Sequence, residues 1–258
     1  MGERAAVDVV AARLASAGFV AALDEAEELL ECSRGEVLVL ESMIERRLLG
    51  EPLAWITGIA TFCDVTLRVD SGVYVPRWQS EPMARAAVER LPSRGITIDL
   101  CTGSGAVAKA LRTMRPHAHV VATDLDERAV ACAASNDVEV YLGDLFAPLP
   151  RQLQGVVDVV IGIVPYVPSS SMSMLPRDTF AFESRWSYDG GEDGTDVLRR
   201  VITDSPQFLR PGGALLIELG GEQAELLEEE LARHGFGDVI VHVDDDHDVR
   251  GIEATWNP

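Results

Sequence analysis

The stretch Asp99-Leu100-Cys101-Thr102-Gly103-Ser104-Gly105 sets two glycines and two small hydroxyl residues between an apolar run and the helix-like Ala106–Leu111. Glycine lets backbone approach a ligand closely, and a following helix N-terminus adds partial positive charge. Alone, such a loop is equally a tight turn. Asp124 closes the next apolar run, 25 residues after Asp99. An acceptor there meets ribose hydroxyls at the carboxyl edge of a parallel sheet, or else caps a helix beginning at Glu127. Asp144-Leu145 follows the next run, with a carboxylate to accept an adenine amino proton and a leucine to cover the ring. Three such features in order, each ending a successive strand, read as a nucleoside site.

The elements that must position these residues are legible as short apolar runs: 96–100, 119–124, 138–142 and 156–161, separated by lengths suited to crossover connections. Strand, helix and strand repeated this way give an α/β fold with a doubly wound, mainly parallel sheet covered on both faces. Leu215–Leu219 and Val239–Val243 add strands, with a helix over Glu222–His234 between them. Ahead of the sheet, Val7, Val10, Leu14 and Ala17, then Val37, Leu40, Ile44 and Leu48, repeat at helical spacing. Residues 1–52 therefore read as a small antiparallel helical domain closed by Gly50 and Pro52. Over 53–75, Phe62, Val65, Leu67, Val69, Val73 and Val75 alternate with polar residues around the turn cluster Asp70-Ser71-Gly72, which predicts a linking hairpin. Residues 76–258 form the catalytic domain.

Lys and Arg number 22 against 42 Asp and Glu, a net charge of -20. The resulting negative potential repels phosphate backbones and anionic lipid, so neither nucleic acid nor membrane is expected as a partner. The four cysteines, Cys32, Cys63, Cys101 and Cys132, are widely spaced and suggest no zinc site or disulfide framework. The first twenty residues carry Glu3, Arg4, Asp8 and Arg13, unlike a signal peptide, and a cytoplasmic location is expected. The run His242-Val-Asp-Asp-Asp-His247-Asp248 could hold a metal but reads more simply as a solvated turn, and no metal is expected.

The order of glycine loop, ribose acid, adenine acid and a Pro-Tyr loop after the fourth run resembles the class I S-adenosylmethionine methyltransferases, with their Rossmann-like sheet. More narrowly, the chain is similar to the HemK/PrmC family of protein glutamine N5-methyltransferases. That similarity runs through Glu51-Pro52, Gly58, Phe62, Val75-Pro76-Arg77, Ser80-Glu81, the loop at 99–105, Val164-Pro165-Tyr166, Asp189-Gly-Gly-Glu-Asp-Gly194, Pro211-Gly-Gly213, Glu218 and Gln223. It implies S-adenosylmethionine as cofactor and S-adenosylhomocysteine as product. Thr102, Gly103 and Gly105 would hold the amino-acid part, Asp124 the ribose, and Asp144 with Leu145 the adenine. Tyr74, Cys101, Leu125 and Gly162 complete the cofactor set. Cys101 stands where the family has a glycine, which is tolerable if its φ is negative.

At the acceptor end the family's Asn-Pro-Pro-Tyr is replaced by Ile163-Val164-Pro165-Tyr166. In the family the Asn oxygen and a backbone carbonyl orient the substrate amide. Ile163 offers no side-chain acceptor, which would leave an amide N–H unsatisfied at about 1–3 kcal/mol. This substitution points to a flatter, self-activating acceptor. The expected substrate is therefore a small electron-rich aromatic of secondary metabolism, such as an indole methylated at C3. Its N–H would meet the Val164 carbonyl or the Tyr166 hydroxyl, with Tyr166 or a nearby carboxylate as base. Trp78, Pro165, Phe182 and Glu183 are the candidate substrate residues. Two alternatives stand beside this: glutamine methylation of a release-factor-like or ribosomal protein, and a scaffold that has lost catalysis. The N-terminal domain would then bind a protein, cap the pocket or form a dimer contact, so a monomer or a homodimer is expected.

Overall fold

The computed structural model describes residues 3–175 and 181–258. Helices α1 (Glu3–Ser16), α2 (Ala22–Ser33) and α3 (Val37–Leu48) enclose a small core of their own around Leu14, Ala26, Leu29 and Ile44. A largely buried ion pair, Arg47 to Glu25 at 2.7 Å, ties α3 to α2. Beyond Pro52 the chain does not go directly into a strand. Leu53–Thr57 forms the five-residue helix α4, ended by Gly58 at a φ of 79°. A single turn is too short to show helical periodicity, so the alternation beyond it dominates the reading of 53–75.

The hairpin then follows, with β1 (Ile59–Phe62) antiparallel to β2 (Val65–Arg68). Its two-residue turn is Cys63-Asp64, both at positive φ, the conformation that suits the twist of a tight hairpin. The cluster Asp70-Ser71-Gly72 is therefore a second turn, and it leads the chain toward the sheet. There the buried Trp55 indole donates to the Val73 carbonyl at 2.9 Å.

The central sheet contains β3 (Ile96–Leu100), β4 (His119–Asp124), β5 (Glu139–Leu142), β6 (Val157–Gly162), β7 (Leu209–Glu218), β8 (Phe236–Val243) and β9 (Val249–Trp256). The strands lie in the order β5-β4-β3-β6-β7-β9-β8, all parallel except β9. Its central strands are mostly apolar because both faces are covered. Val159 and Ile161 of β6 with Ala214 and Leu216 of β7 enter one core, beside α5 (Glu81–Arg90) and α6 (Ala106–Met114). Val157 and Val160 with Leu215 and Ile217 enter the other, beside α8 (Asp196–Asp204) and α9 (Gln223–Arg233). Each such side chain contributes roughly 1.5–3 kcal/mol.

Between β3 and β4 runs α6, and between β4 and β5 runs α7 (Glu127–Ser135), whose N-cap is Asp126 rather than Asp124. The run His242–Asp248 makes the turn from β8 to β9. Asp244 accepts from the Asp246 and Asp248 amides at 3.0 Å and pairs with Arg250. Among the described residues no helix is long and apolar enough to cross a membrane. Strand order reverses between β3 and β6, and in a parallel sheet that is where a crevice opens outside the carboxyl ends.

Candidate active site

Asp99 is the penultimate residue of β3, with its side chain buried against the start of α6. One carboxylate oxygen accepts from Thr102 Oγ1 at 2.6 Å and from the Ala108 amide at 3.1 Å. Burial pushes the carboxyl up to about 7, partly offset by those two donors. The loop it anchors turns through Gly103 and Gly105, both at positive φ. At Gly105 a β-carbon would come within 2.9 Å of Val138 Cγ2, so only glycine lets α6 start there. At Gly103 the nearest neighbour of such a carbon is Tyr74, at 3.8 Å, which leaves the loop open toward the crevice.

Cys101 lies in this loop at a φ of 56°. The condition of a negative φ is not met: the cysteine occupies the left-handed conformation for which glycine is better suited, at roughly 1–2 kcal/mol of strain. Burial holds its thiol protonated. Asp124, at the end of β4, accepts the Gly103 amide at 2.8 Å and the Asp126 amide at 2.9 Å. Burial raises its carboxyl against these donors. Asp144 is half exposed and has one oxygen on Arg200 at 2.6 Å. Leu145 beside it is buried, Leu125 is exposed and Gly162 is buried.

A narrow cavity of about 30 Å³ opens at this edge. Asp99, Thr102 and Ser104 line its polar end; Phe62, Tyr74, Pro76, Cys101 and Ile163 line its apolar part, and Ser80 stands among them. A second, wider groove of about 310 Å³ lies between the N-terminal helices and the hairpin, with Glu28, Arg47, Ala60, Val75, Arg77 and Glu183 in its walls. The segment Tyr74–Arg77 divides the two spaces. Tyr74 and Pro76 face the cavity, whereas Val75 and Arg77 face the groove, the alternation of an extended strand.

That dividing segment is pinned by Glu183, whose carboxylate accepts the Val75 amide at 2.8 Å, pairs with Arg77 and accepts a hydrogen bond from the Tyr188 hydroxyl. Glu183 is thus committed to holding the wall, not free to meet a substrate. Phe182 packs edge-on against Trp55, ring centroids 6.2 Å apart, outside the cavity. Trp78 is 69% exposed and offers no enclosed stacking surface. Tyr166, after β6, donates its hydroxyl to Glu218 Oε1 at 2.9 Å, and burial together with the adjacent carboxylate pushes its pKa well above that of an ordinary phenol. A phenol held this way keeps its proton and is no base. Val164 is buried in the core beneath it, and Pro165 is partly covered.

The sequence reading left out Ser80 and Phe62 as cavity residues, and Glu218 as the buried partner of Tyr166. A serine just before Glu81-Pro82 signals a helix cap, and the glutamate ending an apolar strand was the one visible hint of a buried polar group.

No protein-family model matches the chain. A release factor glutamine methyltransferase of Geobacter sulfurreducens is 34% identical over 215 residues, 81% of this chain and 75% of the relative. One from Mycolicibacterium smegmatis is 32% identical across 96% of this chain and 94% of its own length. The chain belongs to the release factor glutamine methyltransferase family. Members from diverse bacteria carry that name, which overturns the small aromatic acceptor and the secondary-metabolic role expected from Ile163. It overturns the inert scaffold too, for this is a methyltransferase. Solved structures agree on the fold. The E. cuniculi Mtq2-Trm112 complex superposes with a TM-score of 0.54 at 21% identity, over 72% of this chain and 99% of that one. The T. Thermophilus 16S rRNA methyltransferase RsmC, in complex with AdoMet and guanosine, gives 0.51 at 16%, over 78% and 44%.

S-adenosylmethionine is the cofactor of this family member, and the residues present suit it. The open loop at Gly103, the buried acid at Asp99 and the carboxylate of Asp124 together offer small backbone, a negative partner for an ammonium group and an acceptor for a diol.

Proposed function

We propose that this protein methylates the side-chain amide nitrogen of a glutamine in a protein substrate, a bacterial release factor being the first to test. The observation that carries this reading is the extent of the likeness: identity of 32% spanning 94% of the M. smegmatis release factor glutamine methyltransferase, its N-terminal region included. The two spaces divided by Tyr74–Arg77 suit such a substrate. A protein loop lies in the outer groove, and one extended side chain passes the Val75-Pro76 wall into the cavity.

In this reading the loop at 101–105 with Asp99 and Asp124 holds S-adenosylmethionine, which supplies an electrophilic methyl group when bound. An amide nitrogen is a weak nucleophile, so the protein contributes chiefly by orientation and by exclusion of water. Phe62, Tyr74 and Ile163 supply the dry wall, and the Arg77–Glu183–Tyr188 network keeps that wall in register with the groove. No side chain takes the amide proton before attack; it leaves once the nitrogen carries positive charge and its acidity has risen.

The test is to incubate the purified protein with S-adenosylmethionine and a recombinant release factor, then map a one-methyl mass gain by fragmentation. A modified glutamine is the expected result. A release factor that stays unmodified through many equivalents of enzyme, in a preparation that binds the cofactor, would refute the reading.

A further inference from the structure

The family places an Asn acceptor where this chain has Ile163, yet a glutamine amide still presents two N–H groups that need partners in a dry cavity. The structure holds a polar pair next to that deficit. Ser80 lines the same cavity as Ile163 and is buried, and its hydroxyl has no partner. It occupies the N-cap of α5 without making a capping bond, although serine commonly caps through that oxygen. Glu218, at the carboxyl end of β7, is also buried. Its Oε1 takes the Tyr166 hydroxyl, but its Oε2 has no partner. The Ser80 hydroxyl is near enough to hold the Glu218 carboxyl down against burial, yet outside hydrogen-bond geometry.

We propose that Ser80 is the substituted amide acceptor, with Glu218 as its positioning residue. Ser80 Oγ takes one hydrogen of the substrate carboxamide and turns its own proton onto Glu218 Oε2, while Tyr166 fixes the other carboxylate oxygen. A hydroxyl has one proton and two lone pairs, so it can accept from the amide only if its proton has somewhere to go, and the open Oε2 provides the place. Two groups that are unsatisfied or half-satisfied in the free protein, the Ser80 hydroxyl and the Glu218 carboxylate, are then satisfied together around the substrate amide. This rests on the glutamine reading above.

The test compares Ser80→Ala, Ser80→Thr, Glu218→Gln and the double variant Ser80→Ala with Ile163→Asn on a recombinant release factor. Ser80→Ala should lower kcat roughly 10–100-fold, the range that one lost buried hydrogen bond spans. Cofactor affinity by calorimetry should not change. Melting temperature should hold or rise, because the variant removes an unpartnered buried hydroxyl. Ser80→Thr should retain activity, and Glu218→Gln should lose about 3–10-fold, since its amide accepts a proton less well than a carboxylate. The decisive result is rescue: Ile163→Asn should restore most of the loss in the Ser80→Ala protein. Wild-type activity that Ser80→Ala leaves unchanged, or a loss that Ile163→Asn does not repair, overturns this assignment alone. A wild type that never modifies glutamine overturns the glutamine reading and this assignment together.

Discussion

Replacing Tyr166 with phenylalanine keeps the ring in its core and deletes a single donor, the hydroxyl on Glu218 Oε1. Glu218 is buried and its other oxygen is already unpartnered, so the variant leaves a carboxylate with no hydrogen bond in place. A hydrogen bond to a charged group is worth about 1.5–3 kcal/mol. For a chain of this size that is a fall in melting temperature of roughly 3–12 °C at pH 8. The loss should depend on pH. Burial raises the Glu218 carboxyl above its ordinary 4.5 in the folded state. A raised acid binds its proton more tightly folded than unfolded. Its burial therefore costs nothing well below 4.5, and progressively more as pH rises through the window up to the folded value. Removing the Tyr166 donor lifts that folded value further, so wild type and variant should converge as the pH is lowered toward 5. Melting curves followed by circular dichroism between pH 5 and 8 measure both effects, and Glu218→Gln should abolish the convergence. Equal losses at every pH, or none at all, would show that Glu218 is not an ionised acceptor for Tyr166.

Asp99 is raised from 3.8 to about 7 by burial, so folded-state stability should fall as pH climbs across that interval; Asp99→Asn should flatten this slope in urea titrations at pH 5 and 7.5. At Cys101 the left-handed strain and the extra unfolded-state freedom of glycine are both about 1 kcal/mol. Cys101→Gly should thus leave the melting temperature within about 2 °C, whereas Cys101→Val, with a branched β-carbon at positive φ, should lower it by several degrees. Glu183→Gln strips the countercharge from Arg77, about a third of whose side chain meets water. The cost should be about 2–3 kcal/mol, below that of a fully buried pair. Release-factor KM should rise as the Val75–Arg77 wall loosens, which steady-state kinetics will show.

The central strands were legible because Val157–Ile161 and its neighbours are covered on both faces, so apolar residues dominate along them. The crevice followed from the same pattern, since acids and glycines at strand ends have few other reasons to recur there. What stayed hidden depends on contacts between distant elements. Nothing in Ser80-Glu81-Pro82 reveals that its hydroxyl turns away from the helix it precedes. Nothing local ties Glu183 to Arg77, 106 residues earlier. The hairpin turn escaped because Cys63-Asp64 lacks the glycine that usually marks two successive positive φ values. Ile163 by itself misleads, because one lost acceptor changes the substrate only if no polar group compensates, and the candidate, Ser80, arrives from the N-cap of α5, far away in sequence.

The antiparallel β9 lies between β7 and β8, the two strands made before it. Until Val249–Trp256 has left the ribosome, β8 has no neighbour to bond with, and the outer edge of β7, Glu218 included, stays bare. Assembly of this half of the sheet must therefore await the synthesis of β9, although the β3–β6 half can zip earlier. A nascent chain stalled near residue 248 would display a sticky, unpaired edge, which makes the closing strand a latch on quality as well as a structural member.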